Sequence, residues 1–273
     1  MPESGPGRLL FPSLRAKLRQ GRPVCGIFIS HYCPEIVEIA GLCGWDFAII
    51  DCEHAPTPGA ALFGLVRAGA VAGMPVVVRV ASNDPALIQH ALDAGAAGVQ
   101  IPQISSEEGA RVAVTAARFQ PLGQRGFGPF VRAADYGALE TESFFTRARD
   151  ETALILQVES RQGLEAVDRI IAVDGIDVLF LGPYDMSQSL GVPGQTAHPL
   201  VVQAVETLAA KASRKGIDIG IFARTEEDAR RWVGLGVRYL SYSSDTLAVE
   251  EGMRQALRQS RAACAAVSDA RKA

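Results

Sequence analysis

The chain has 273 residues, 48% of them hydrophobic and 21% charged, with a formal net charge of -3 at pH 7. That length buries a large core, and an α/β barrel of this size forms one domain, so a single domain over residues 1–273 is expected. The near-neutral charge balance gives no reason to expect nucleic acid or an anionic membrane as partner.

No apolar run approaches the roughly 20 residues of a membrane helix, and the N-terminus, MPESGPGRLLFPSLRAKLRQ, lacks the apolar stretch of a secretory signal. The cysteines, Cys25, Cys33, Cys43, Cys52 and Cys264, form no C-x-x-C pair, and their odd number argues against a disulfide framework. A reducing, cytoplasmic setting is the expectation.

In chain order, short apolar or β-branched runs bounded by Gly and Pro predict strands at VCGIFIS (24 to 30), FAIIDCE (47 to 53), VVVRVA (76 to 81) and GVQIPQ (98 to 103). Four more follow a longer gap: ALILQVE (153 to 159), VLFLGP (178 to 183), DIGIFA (218 to 223) and RYLSYS (238 to 243). Between them lie stretches of helical period such as PEIVEIAGLCG, DPALIQHALDAGA, EEGARVAVTAARF, EDARRWVGLG and TLAVEEGMRQALRQS, several opening on Asp, Ser or Thr and closing on Gly. Alternating strand and helix predicts a parallel sheet with right-handed crossovers, and eight units predict a closed (β/α)8 TIM barrel. No G-x-G-x-x-G follows the first strand, which removes the main support for an open dinucleotide-binding sheet. The long irregular stretch from 120 to 140 reads as a functional loop.

Active sites of such barrels lie at the C-terminal ends of the strands, and the polar residues gather there. The second strand ends in Asp51, Glu53 and His54, the third carries Arg79, and the fifth ends in Gln157 and Glu159. The sixth runs into GPYDMS with Asp185, and the eighth ends in Ser241, Ser243 and Ser244. Any one of them is more often half of a structural ion pair than a catalytic group. Together they need a shared reason, because burying an unpaired charge costs several kcal/mol. A metal ion with an anionic substrate supplies one. Glu159 and Asp185, from adjacent strand ends, could bind one divalent cation, and two carboxylates completed by water and substrate oxygens suit Mg2+ or Mn2+ better than structural zinc. Arg79 could meet a carboxylate or a developing enolate. The four lysines, Lys17, Lys211, Lys215 and Lys272, fall on no predicted strand, so a Schiff-base aldolase is not expected.

The pieces "DCEHAP", "VVVRVASNDP", "LDAGAAGVQIPQ", "RGFG", "QVES" and "GPYDMSQSLGVPGQTAHP", in this order over about residues 20 to 258, resemble the HpcH/HpaI aldolase family of class II, metal-dependent pyruvate aldolases. The resemblance implies a TIM barrel, often assembled into hexamers that exchange the last helix. It implies Glu159 and Asp185 as ligands of a divalent metal, Mg2+ or Mn2+ first, with Co2+, Ni2+ and Zn2+ as alternatives. It implies Arg79 at the substrate 2-oxo group and His54 with Asp93 as an acid/base dyad. Gln157, Gly182 and the backbone N–H groups of Tyr184 and Asp185 are implied to hold the pyruvate carboxylate; Pro183 has no N–H to offer. The chain departs from the family with Cys52 where Gly is common, and with "ASNDP" where an aromatic is common before Asn83.

The expected reaction is reversible aldol cleavage of a 4-hydroxy-2-oxo acid to pyruvate and an aldehyde, with His54 and Asp93 handling the C4 hydroxyl proton and Arg79 sharing the enolate charge with the metal. Arg79→Ala and His54→Ala are expected to cut cleavage by orders of magnitude while leaving the fold intact. Oxaloacetate decarboxylation at the same site, a citrate-lyase-like reaction and a non-catalytic metabolite-binding barrel are the alternatives. His31 is a further candidate for substrate contact. Arg125 and Arg132 in the 120 to 140 stretch are candidates to meet the aldehyde half or a distal carboxylate, with Phe127 and Phe130 lining the same region; solvated loop arginines are the alternative reading. His90 and His198 read as structural.

Overall fold

Residues 13–55 and 59–270 are described in a computed structural model; the ends of the expected domain and residues 56–58 lie outside them. Eight parallel strands close into a barrel in sequence order: β1 Val24–Ile29, β2 Phe47–Asp51, β3 Val76–Arg79, β4 Gly98–Ile101, β5 Ala153–Val158, β6 Val178–Leu181, β7 Asp218–Ala223 and β8 Tyr239–Ser244. Every strand expected from the sequence is present. β8 pairs with β1, with a register shift between Gly26 and Phe28.

The strands are apolar on both faces because both are buried, and the two-residue period sorts them. One set, including Ile27, Ile50, Val78, Val99, Leu156, Leu179 and Ile221, joins the helices in the outer core. The other, with Phe28, Phe47, Ile49, Val77, Ile155, Val178, Phe180 and Tyr239, fills the barrel interior. Gly26 faces that interior without a side chain because a Cβ there would lie 2.2 Å from the Phe47 ring. A short helix, Leu14–Arg19, plugs the end where the strands begin, and its Leu14 and Leu18 complete the interior cluster.

Side-chain caps start the surrounding helices: Asp84 accepts from the N–H groups of Ala86 and Leu87, Ser106 from Gly109, Ser160 from Gly163 and Thr225 from Asp228. His198 caps helix Pro199–Ser213 by accepting from the Leu200 N–H, and His90 lies edge-on to Phe63, structural roles for both.

The stretch from 120 to 140 is not a free loop. It folds through a 3-10 turn at Arg132–Gly137 into helix Thr141–Glu151 over a small apolar cluster of Ala133, Ala134 and Phe144. The chain closes on a 26-residue helix, Asp245–Ala270, about 39 Å long. It rests on β1 and β8 at its start, and beyond that Val249, Met253 and Leu257 are exposed at helical spacing. Among the described residues no helix is long and apolar enough to cross a membrane.

Candidate active site

The same two-residue alternation that fills the barrel carries its polar residues inward at the rim. Asp51 follows Ile49, Arg79 follows Val77, Gln157 follows Ile155 and Gly182 follows Phe180, each one inward step beyond an interior apolar residue. Register sets Arg79 beside Asp51 on β2 and Gln100 on β4. The result is a cavity of about 360 Å³ walled by Phe28, Ser30, Asp51, His54, Arg79, Gln157, Phe180, Gly182, Pro183, Tyr184, Asp185, Phe222 and Ser244.

Arg79, 8% exposed, donates from Nε and Nη2 to the two oxygens of Asp51 at 3.0 and 2.7 Å, and lies 4.8 Å above the Phe28 ring. Its Nη1 is 3.2 Å from Glu53 Oε2, a buried oxygen that makes no hydrogen bond. Asp51 Oδ1 also accepts the N–H groups of Glu53 and His54, turning the chain sharply where β2 ends. Burial alone would push the Asp51 carboxyl up; the hydrogen bonds and charge of Arg79, with those two N–H groups, outweigh it and hold it below the usual carboxylate range. His54 stands on this turn with 65% of its side chain exposed, its Nε2 3.8 Å from Glu53 Oε2.

Across the cavity, Glu159 is 7% exposed. Its Oε1 accepts the Gln103 N–H at 2.8 Å and its Oε2 accepts from Gln157, which is bridged to Gln100 at 2.6 Å. Burial lifts the Glu159 carboxyl above its ordinary range, and Asp185 and Glu53 repel it further, against the hydrogen bonds from Gln157 and Gln103 that draw it down. Gly182 lies beside it: a Cβ there would sit 2.6 Å from Glu159 Oε2. Helix Pro183–Ser189 begins immediately after, with Pro183 in its first turn, so Tyr184 and Asp185 bring the first N–H groups of the helix to the cavity wall.

The expected residues His54, Arg79, Gln157, Gly182, Tyr184 and Asp185 thus line one cavity, with Glu159 bonded to its Gln157 wall. Asp93 is not brought to them. Helix Pro85–Asp93 runs back from the rim for about 13 Å, and Asp93 ends it on the side where β4 begins, paired with Arg125 Nη2 at 2.8 Å. The His54–Asp93 dyad therefore does not form within the chain. Arg125 and Arg132 are not solvated loop arginines. Arg125 is buried against Asp93 and the Phe119 ring, and Arg132 donates to the Ala94 carbonyl, so both fasten the 120–140 segment to the barrel.

His31 lies at the end of β1 with Nδ1 3.1 Å from Asp245, the buried first residue of the last helix. The Cys52 thiol is pushed up to about 11 by burial, with Asp51 adding to it, and stays protonated at neutral pH. Ser244, expected at the end of the eighth strand, also lines the cavity, whereas Phe28, Phe180, Phe222, Ser30 and Gln103 carry no such signal in the sequence. Phe28 and Phe180 were accessible only by counting back two residues from Ser30 and Gly182 along an inward face.

No group of three or more His, Cys, Asp or Glu gathers as a metal cage among the described residues. The donor set is carboxylate oxygen, and its charges do not balance. Asp51, Glu53 and Glu159 are set against the guanidinium of Arg79, and one Glu53 oxygen lacks a hydrogen bond. Hard oxygen ligands with excess negative charge fit a divalent cation.

The family model for HpcH/HpaI aldolase/citrate lyase matches residues 25–251. The chain is 35% identical to hydroxypyruvate/pyruvate aldolase of Sagittula stellata over 231 residues, 85% of this chain and 90% of that one. It is 34% identical to 2-keto-3-deoxy-L-rhamnonate aldolase of Escherichia coli K12 over 250 residues, 91% and 93% of the two chains. The crystal structure of an HpcH/HpaI aldolase from Desulfitobacterium hafniense superposes with a TM-score of 0.85 at 34% identity, covering 91% of this chain and 96% of that one.

Proposed function

The chain belongs to the HpcH/HpaI aldolase/citrate lyase family and is a carbon–carbon lyase, and we propose that it cleaves a 4-hydroxy-2-oxo acid reversibly to pyruvate and an aldehyde through a pyruvate enolate. The observation that carries this reading is the charge excess at the rim: the little-exposed carboxylates of Asp51, Glu53 and Glu159 stand with one guanidinium, Arg79, around a cavity open to a small substrate.

Glu159 and Asp185 would hold a divalent cation, Mg2+ or Mn2+ by the chemistry of their oxygens. When bound, that cation supplies Lewis-acid polarisation of the 2-oxo group, a contribution of several kcal/mol. Arg79 binds the 2-oxo oxygen and receives the negative charge that moves onto it as the C3–C4 bond breaks. Asp51 fixes the guanidinium plane through its paired contact, so Arg79 meets the transition state already oriented. The amide of Gln157 and the N–H groups of Tyr184 and Asp185 take the substrate carboxylate. Gly182 beside them has no side chain to press on this wall, since a Cβ there would crowd Glu159 and Gln157. His54, exposed on the Asp51 turn, removes the C4 hydroxyl proton. Electrons from that O–H bond form the aldehyde carbonyl, the C3–C4 pair passes into the enolate, and protonation at C3 releases pyruvate.

A dyad of His54 with Asp93 would have to form between two chains. Assembly into a homo-oligomer, a hexamer on the family pattern, accordingly belongs to the same proposal, with the exposed Val249, Met253 and Leu257 of the last helix as contact surface.

The test is EDTA-treated protein offered a panel of 4-hydroxy-2-oxo acids, with pyruvate release followed as Mg2+ or Mn2+ is restored. Activity should return with metal in the wild type and stay absent in Glu159→Gln. Pyruvate release indifferent to both EDTA and the Glu159 substitution would overturn the reading.

A further inference from the structure

The polar residues around the cavity form two hydrogen-bonded groups on neighbouring strands, with Arg79 of the first in register with Gln100 of the second. One is Arg79 with Asp51 and Glu53, from the ends of β2 and β3. The other is Glu159 with Gln157 and Gln100, from β5 and β4. Gln103, two residues beyond β4, touches both. Its backbone N–H donates to Glu159 Oε1 at 2.8 Å, and its side-chain Nε2 donates to Glu53 Oε1 at 3.1 Å.

The local chain is shaped for this double contact. Pro102 precedes Gln103 and Ile104 follows it, its N–H given to the Gln157 carbonyl at 2.9 Å. Between them Gln103 takes φ 59°, the left-handed region that L side chains seldom adopt. Glycine would take this conformation at no steric cost. A glutamine here instead carries an exposed side chain out to a carboxylate with 7% of its side chain exposed. Burial of its own apolar atoms does not account for that choice; the hydrogen bond to Glu53 does.

We propose that Gln103 is a positioning residue for the cation site. Its two hydrogen bonds tie the Arg79–Glu53 group to Glu159 and hold the Glu159 carboxylate for metal, although Gln103 supplies no ligand itself. This inference rests on the metal-dependent reading above. Outer partners that orient metal ligands are typically worth about 10- to 100-fold in metal affinity, and the effect should appear without substrate or turnover.

The experiment is titration of the metal-free protein with Mn2+ alone by calorimetry, on wild type, Glu159→Gln, Gln103→Met, Gln103→Gly, Glu53→Gln and the Gln103→Met/Glu53→Gln double variant, with melting temperatures recorded for each. Gln103→Met removes the amide donor at similar length, and Gln103→Gly removes it while relieving the left-handed backbone. Both should weaken Mn2+ about 10- to 100-fold with melting no lower than a few degrees below wild type. The double variant should be no weaker than its worse single parent, since both changes cut the same link. Wild-type Mn2+ affinity in both Gln103 variants, or losses that simply add in the double variant, would overturn the inference while leaving the metal reading in place. No Mn2+ binding by the wild type, or binding unaffected by Glu159→Gln, would overturn the metal reading and this inference with it.

Discussion

At the end of the barrel where the strands begin, buried charge is closed on itself. Arg118 donates to the carbonyls of Thr152 and Gly175 and to Asp177, while Asp177 also accepts the Leu154 N–H and pairs with Arg15. At the end where the strands finish, Arg79 is shared between Asp51 and Glu53, and Glu159 adds a further buried carboxylate held only by amide donors. The first arrangement sets each charge against a partner and holds helix ends to strand starts. The second is left short of positive charge, and that shortage is what a cation and an anionic substrate can use. Buried polar residues mark a site here through an unbalanced account of charge and donors, not through burial itself.

The sharpest break between the two ends is a pair of substitutions. Arg79→Gln should lower pyruvate release by about 10² to 10³-fold or more in steady-state assays, since it removes the charge that meets the enolate. Arg118→Met should leave the turnover of the folded fraction unchanged while lowering stability in denaturant titration by about 3–5 kcal/mol, the typical cost of stranding a buried partner. Arg79→Ala would take the guanidinium from Asp51 and Glu53 while leaving Asp51 the N–H groups of Glu53 and His54 and Glu53 the Gln103 amide, so some loss of melting temperature is expected beside the loss of activity. Equal losses of activity at both ends would erase the distinction.

Gly182→Ala sharpens it next. The added Cβ would stand 2.6 Å from Glu159 Oε2, and a catalytic group displaced by about 1 Å can cost roughly 10²-fold in rate. Gly182 is at φ -78°, so the backbone accepts alanine without strain and the effect should fall on kcat and metal affinity more than on melting temperature.

The smallest effect concerns stability. The Glu159 pKa is raised in the folded protein, chiefly by burial. Its contribution is therefore fully present below the unfolded value of about 4.3 and is lost as pH rises through the folded value. At neutral pH the metal-free wild type should be less stable than metal-free Glu159→Gln, with the difference closing in acid. Saturating Mn2+ should raise the melting temperature of the wild type alone. Melting curves across pH, with and without Mn2+, check both statements.

The sequence by itself determined the eight strands and the side of the barrel on which chemistry sits, since a two-residue period and apolar runs on both faces leave a parallel strand little freedom. It also placed Arg79, Glu159 and Asp185 at strand ends, where neighbours in the chain follow one another around the rim. What only the tertiary structure decided are the contacts between residues far apart in sequence. Arg125 reads in sequence as a loop arginine, yet it is buried on Asp93, 32 positions away; "LDAG" does not say which end of its helix faces the rim. Gln103 gives no periodic signal, because its role lies in one backbone angle and in two carboxylates, Glu53 and Glu159, that meet only once the barrel closes. Local periodicity encodes which way a side chain points. What it then touches is set by closure of the sheet, and the balance of charge at the rim exists only after that closure.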